Sequence, residues 1–223
     1  MRERALPIRA AVPVALAAAG LLLTGCGTTP APVGPAGTAA PKAGGSKAGE
    51  SQAATPTAGV PKAAATLGGP GTACALPVSF ALAEQWEPEA IDDPENPEFA
   101  ALTRQGPAVV RCEVDAKGAG HVGYLRIWTA GKGPARAALE GFVKAERKTS
   151  KVAYRETGAG QLPATEVTYT VTNELMEESK EERAFAVSTP KGVVIVHLGG
   201  LDTDEHRAMI PAYELAKSTL KAL

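Results

Sequence analysis

Aromatic residues are scarce, at 4% of the 223-residue chain. Every Trp, Tyr and Phe lies between Phe80 and Tyr213, so the first third has no means of building an ordinary core. An excess of either charge is also missing. The 23 Lys and Arg against 24 Asp and Glu leave −1, which offers no field for nucleic acid or an anionic bilayer. Cysteine is rare, with Cys26, Cys74 and Cys112 alone and no Cys-x-x-Cys motif. Catalytic signatures fail in turn: there is no G-x-S-x-G elbow, no H-E-x-x-H and no Walker loop. Three histidines are too few to argue a triad from sequence.

What is present begins with an address. Arg2, Arg4 and Arg9 precede the apolar run Ala10–Leu23. A helix of that length spans about 21 Å, short of the roughly 30 Å hydrocarbon core, so the run reads as a secretory h-region and not as a membrane span. It ends in Leu23-Thr24-Gly25-Cys26, which resembles the bacterial lipobox. The resemblance implies a signal peptide over 1–25, cleavage between Gly25 and Cys26, and a thioether from Cys26 to diacylglycerol. Each buried methylene contributes about 0.8 kcal/mol, and stable anchoring takes two acyl chains. An ordinary secretory signal with a chance cysteine, or an uncleaved anchor, is the alternative.

Residues 26–73 comprise the lipidated cysteine and an Ala/Gly/Pro-rich tether. Between Gly27 and Ala73 the only charges are Lys42, Lys47, Glu50 and Lys62, and nothing offsets the entropy of ordering. Disorder is expected, with a flexible end-to-end distance of roughly 35–40 Å. Seven prolines push it toward extension. It reads as a spacer that holds a domain off the membrane, or as mere slack.

Residues 74–223 remain for one globular α+β domain of charge −5, long enough for a sizeable core. With Cys26 assigned to lipid, Cys74 and Cys112 are most simply a disulfide in an oxidising compartment; a redox pair or two buried thiols are the alternatives. In Val110-Arg111-Cys112-Glu113-Val114 the even positions are expected to face the core together. Strands are expected at Leu76–Leu82, at Ala108–Asp115 with Val122–Trp128 as a hairpin, at Val152–Glu156, at Glu166–Val171, and at Arg183–Ser188 with Val193–Leu198 as a second hairpin. One helix follows Pro134, with Leu139, Phe142 and Val143 on its apolar face. A second starts near Asp202 and Thr203 and carries Met209, Tyr213, Ala216 and Leu220, with a kink or restart expected at Pro211. Glu84–Gln105 reads as a loop or short irregular helix. Without long crossovers the strands imply a central antiparallel sheet, flanked by the helices.

The order hairpin, helix, short strand, Leu162-Pro163-Ala164-Thr165-Glu166-Val167-Thr168-Tyr169-Thr170, acidic turn, hairpin and terminal helix resembles the PsbP-like α/β/α sandwich. That fold is shared with the yeast Ran-binding Mog protein and with LpqN-type lipoproteins of actinobacteria. The Arg183…Phe185 strand and the closing Tyr213-Glu214-Leu215-Ala216 helix carry the rest of the likeness, which covers Leu76 to Leu220. The resemblance implies a sheet used for docking protein or ligand partners, with no common catalytic centre.

Other groups have a chemical and a bland reading. Gly118–Gly123 spells G-x-G-x-x-G but joins two strands, so it reads as a hairpin turn and not as a dinucleotide site. His197, Asp202, Asp204, Glu205 and His206 could hold a divalent metal, yet the acidic residues suit a helix start. Helix capping is the adopted reading, and no metal is expected. The acidic run Glu174, Glu177, Glu178, Glu181 and Glu182 reads as a hairpin tip in water, or as a docking face for a basic partner. Arg147, Lys148, Lys151 and Arg155 read as cations at the C-terminal end of the first helix. Tyr124, Trp128, Tyr154 and Tyr169 either pack in the core or line a groove.

The expectation is a noncatalytic surface lipoprotein, lipid-anchored on the extracytoplasmic face of the cell membrane. Its module binds an envelope protein or ligand, needs no cofactor, takes no nucleic acid and is monomeric. An envelope enzyme with an unrecognised active site, or a carrier of a small apolar ligand, is the alternative.

Overall fold

Apolar residues on β-period and helical-period segments assemble, in the computed structural model, on both faces of one long sheet. The structure describes residues 61–174 and 176–223. The expected signal peptide, the cleavage point at Gly25 and Cys26, and most of the tether lie outside the described residues.

Among the described residues the strands are β1 (Ala63–Leu67), β2 (Val78–Ala83), β3 (Glu87–Ala90), β4 (Arg104–Gln105), β5 (Ala108–Asp115), β6 (Gly123–Ala130), β7 (Thr149–Ala159), β8 (Leu162–Asn173), β9 (Glu178–Thr189), β10 (Gly192–Gly200) and β11 (Lys221–Ala222). The helices are α1 (Ala135–Ala145) and α2 (Thr203–Ser218). The large sheet runs β3-β5-β6-β10-β9-β8-β7, with β4 also on β5, and a small sheet runs β1-β2-β11. All these ladders are antiparallel, so the coarse α+β reading holds.

One face of the large sheet carries α1. Leu139, Phe142 and Val143 pack there on Trp128, Val167, Tyr169, Ala184 and Ile195. The opposite face carries α2 and the small sheet, where Phe80, Met209, Tyr213 and Leu220 pack on Cys112, Leu125, Phe185 and Val196. Burial on both sides explains why β10 is buried along its whole length.

Several expectations change. The tether was expected to run to Ala73, but Ala63–Leu67 is a strand on β2, and Leu67 is buried in the core. The backbone ladder and one leucine supply what the composition seemed to lack. Gly68 then turns the chain at φ +110° against the backbone of Val78, where a side chain has no room. Val110 does not share a face with Cys112. The register slips between them, so Val110 joins the α1 side while Cys112 and Val114 join the α2 side. The strand expected at Val152–Glu156 extends over Thr149–Ala159 because its polar residues pair along β8 at the sheet edge. The Glu84–Gln105 segment holds β3, β4 and a 3-10 helix, Pro97–Thr103. Pro134 is the N-cap residue of α1 and lies just outside its first turn. The closing helix continues through Pro211 without interruption in its span.

The Cys74–Cys112 disulfide is present, with Cα atoms 5.9 Å apart. It ties the segment before β2 to β5 inside the core. Among the described residues no helix is long and apolar enough to cross a membrane.

Candidate binding site

The β5–β6 turn, the β8–β9 turn and the segment leaving β10 meet at one end of the large sheet. α1 leaves that end of its face uncovered. A half-open pocket of about 440 Å³ results, lined among others by Val122, Tyr124, Val171, Met176, Lys180 and Leu201. Val122, Met176 and Leu201 are exposed at 49%, 62% and 63%, a cost in apolar hydration that a monomer's surface rarely concentrates around one cavity.

Tyr124 lies in this pocket because Gly199, its cross-strand neighbour on β10, has no side chain. A Cβ there would stand 2.6 Å from the tyrosine ring. The Arg126 guanidinium sits 3.9 Å from the ring centre and donates to Glu113 Oε2 at 2.6 Å. Burial pushes the Tyr124 hydroxyl above its ordinary pKa, so it stays protonated at neutral pH.

Beneath the pocket runs a buried polar chain. Lys180 Nζ donates to the Gly200 carbonyl and pairs with Glu182 Oε1, both at 2.8 Å. Glu182 Oε2 lies 2.6 Å from His197 Nε2, which is 3.3 Å from the Tyr169 hydroxyl. Burial pushes the Glu182 carboxyl up, but His197 and Lys180 outweigh it and hold the group below its usual range. Phe142 closes over His197 at 5.6 Å between ring centres. No serine, threonine or cysteine nucleophile joins this chain in the contacts of the described residues. It works as a rigid, hydrogen-bonded floor.

The sequence reading placed these groups unevenly. Glu182 was expected in water at a hairpin tip, but β9 begins at Glu178 and Glu182 is 4% exposed, held by Lys180 and His197. Of the four aromatics proposed for a groove, Tyr124 lines the pocket. Trp128 packs edge-on to Phe142, Tyr154 lies under Arg136, and Tyr169 is buried. Lys151 and Arg155 lie on β7 and not at the end of α1, because the helix stops at Ala145.

The metal-like stretch disperses. His197 faces α1, whereas His206 belongs to α2 on the other face. Asp202 caps α2 by accepting from Glu205 N at 2.8 Å. Glu205 Oε2 instead meets His121 Nδ1 at 3.2 Å. Among the described residues no group of three or more His, Cys, Asp or Glu is placed to hold a metal ion. Gly118–Gly123 forms the β5–β6 turn, with Lys117–Ala119 as a 3-10 turn.

His206 is 2% exposed, and burial pushes its imidazole down to about 4; Arg183 and His197 add to that, while Glu182 and Glu181 oppose it. The folded protein thus keeps it neutral, while the unfolded chain takes a proton near pH 6.5. Stability is unaffected by this group above pH 6.5 and falls as the pH drops toward 4, by up to about 3 kcal/mol. Carboxylates held low, such as Glu182, begin to act only as the pH falls to about 4.5, at the low end of that window. Between pH 7 and 4.5 the thermal midpoint of the wild type is expected to fall more than that of His206→Gln. Parallel curves would remove the assignment.

Residues 44–220 match the model of a protein family, Lipoprotein_23, described as an uncharacterised lipoprotein. Comparison with curated proteins gives no match.

Proposed function

The chain belongs to the Lipoprotein_23 family of uncharacterised lipoproteins, and from that premise we propose that it is a noncatalytic, membrane-anchored surface lipoprotein whose folded module binds a cell-envelope partner. Cys26 carries the lipid after cleavage at Gly25–Cys26, and the tether sets the module on the extracytoplasmic face. Two acyl chains make such anchoring stable, while the module, of charge −5 over residues 74–223, stays in water. A sheet with a helix on either face supports the PsbP-like, LpqN-like reading of the fold.

The observation that carries the binding role is the half-open pocket with three exposed apolar residues on its rim. Ligand sites are concave, mostly apolar and carry a few fixed polar groups. This pocket has that composition, and the Glu182 carboxylate of its floor is already paired with Lys180 and His197.

A photo-crosslinking amino acid at Met176 of the full chain, expressed in intact cells, tests the reading. Discrete adducts are expected there, and none at Val152, which is exposed on the edge strand β7 and does not line the pocket. Cys26→Ser is expected to release the chain from the membrane fraction and abolish the adducts. Equal labelling at both positions, or retention of Cys26→Ser in the membrane, counts against it.

A further inference from the structure

Two like-charged pairs stand beside the pocket. In the β3–β5 ladder Glu87 opposes Asp115, and Glu89 opposes Glu113. Directly opposed carboxylates destabilise a sheet. Asp115 and Glu113 line the pocket, and Arg126 and Lys117 reach them. Glu87 and Glu89 are exposed and have no ion-pair partner among the described residues. Glu178 and Asp202 stand on the remaining rim. The two pocket lysines are already engaged, Lys117 by Asp115 and Lys180 by Glu182.

An apolar cavity inside a carboxylate rim repels anionic lipid and nucleic acid. Its complement is an apolar group flanked by cations. The spacing narrows this further. Glu87 and Glu89 are two residues apart on one strand, so their side chains leave the same face about 7 Å apart. Alternate residues of an extended peptide repeat at that distance, whereas a single small amine meets only one of the two. The cavity, about 440 Å³, lies toward the small end of ligand sites and suits one large side chain or two.

We propose that the pocket binds an extended basic segment of a partner polypeptide, seating one apolar side chain among Val122, Val171, Met176 and Leu201 while its flanking Lys or Arg residues meet Glu87 and Glu89. This deepens the binding-module reading and rests on it.

The test uses the full chain labelled at methionine methyl groups. Met176 reports on the pocket, and Met209, buried on the sheet-facing side of α2, is the internal control. The peptide acetyl-Lys-Leu-Lys-Leu-Lys-amide is expected to shift Met176 and leave Met209 in place, with weaker binding at high salt. The Ser-Leu-Ser-Leu-Ser analogue is expected to leave both unmoved at the same concentration. Glu87→Gln with Glu89→Gln is expected to weaken the basic peptide about tenfold, as two exposed ion pairs would. Equal shifts from the neutral peptide, unchanged affinity in the double variant, or no shift at all would overturn the proposal. If crosslinks at Met176 in cells survive the double variant undiminished, the charge assignment fails while the binding module stands. If no crosslink forms in the wild type, the broader reading fails first.

Discussion

Glu166→Ala is expected to lower the free energy of unfolding by about 3–5 kcal/mol, the range for breaking a buried ion pair from one side. Glu166 is completely buried on β8. Its Oε1 accepts from the Tyr213 hydroxyl at 2.8 Å and from Lys217 Nζ at 3.1 Å, and its Oε2 accepts from Arg155. Removing it leaves the Lys217 ammonium 5% exposed with only the half-exposed Glu214 near it, at 3.6 Å. The contact also fastens α2 to the sheet. Burial pushes the Glu166 carboxyl up, but Tyr213, Lys217 and Arg155 together outweigh it and hold the group below its ordinary value. Its contribution is therefore present above pH 4.5 and lost as the pH falls through the lowered value. Denaturant titration at pH 7 measures the loss. Glu166→Met with Lys217→Met, which removes both charges, is expected to recover most of it. A loss under about 1 kcal/mol for Glu166→Ala would assign the cluster the weight of an exposed pair.

Cys74→Ala with Cys112→Ala is expected to cost about 4 kcal/mol, the chain-entropy value for a loop of this length. The two cysteines are 38 residues apart and almost fully buried. Freed of the crosslink, the unfolded chain gains loop entropy, and the folded core loses two sulfurs from a packed cluster. The denaturation midpoint of the double variant should match that of the wild type in reductant, apart from the missing sulfur volume. A midpoint unchanged by either treatment would leave the bond without energetic weight.

How far the fold was readable from residues follows from which faces are covered. Ala108–Asp115 and Glu166–Val171 were placed by alternation, because one residue in two must be apolar wherever a sheet meets a core. The same rule hid Glu166. With Val167, Tyr169 and Val171 facing in, Glu166 falls on the opposite face and reads as solvated, but α2 covers that face as well. The signal that both faces are covered was the unbroken apolar run Val193–Leu198 in β10, a pattern of doubly buried strands. Glu182 was hidden similarly, by neighbours in sequence that do stay in water. The pocket was not readable, because it depends on where α1 stops relative to three turns distant in sequence. Tyr124 and Val171 were the residues of it already read as sheet residues on an inward or groove-lining face.

The bond between Cys74 and Cys112 has a mechanical meaning as well. A pull on the chain upstream of Pro61 enters the module at β1, whose ladder to β2 opens one rung at a time when its first residue is drawn away. Peeling stops at Cys74. From there tension passes through sulfur into β5, an inner strand of the large sheet, and bypasses β2. The first strand is thus a sacrificial length of slack, and the covalent knot behind it keeps a tug from unravelling the rest.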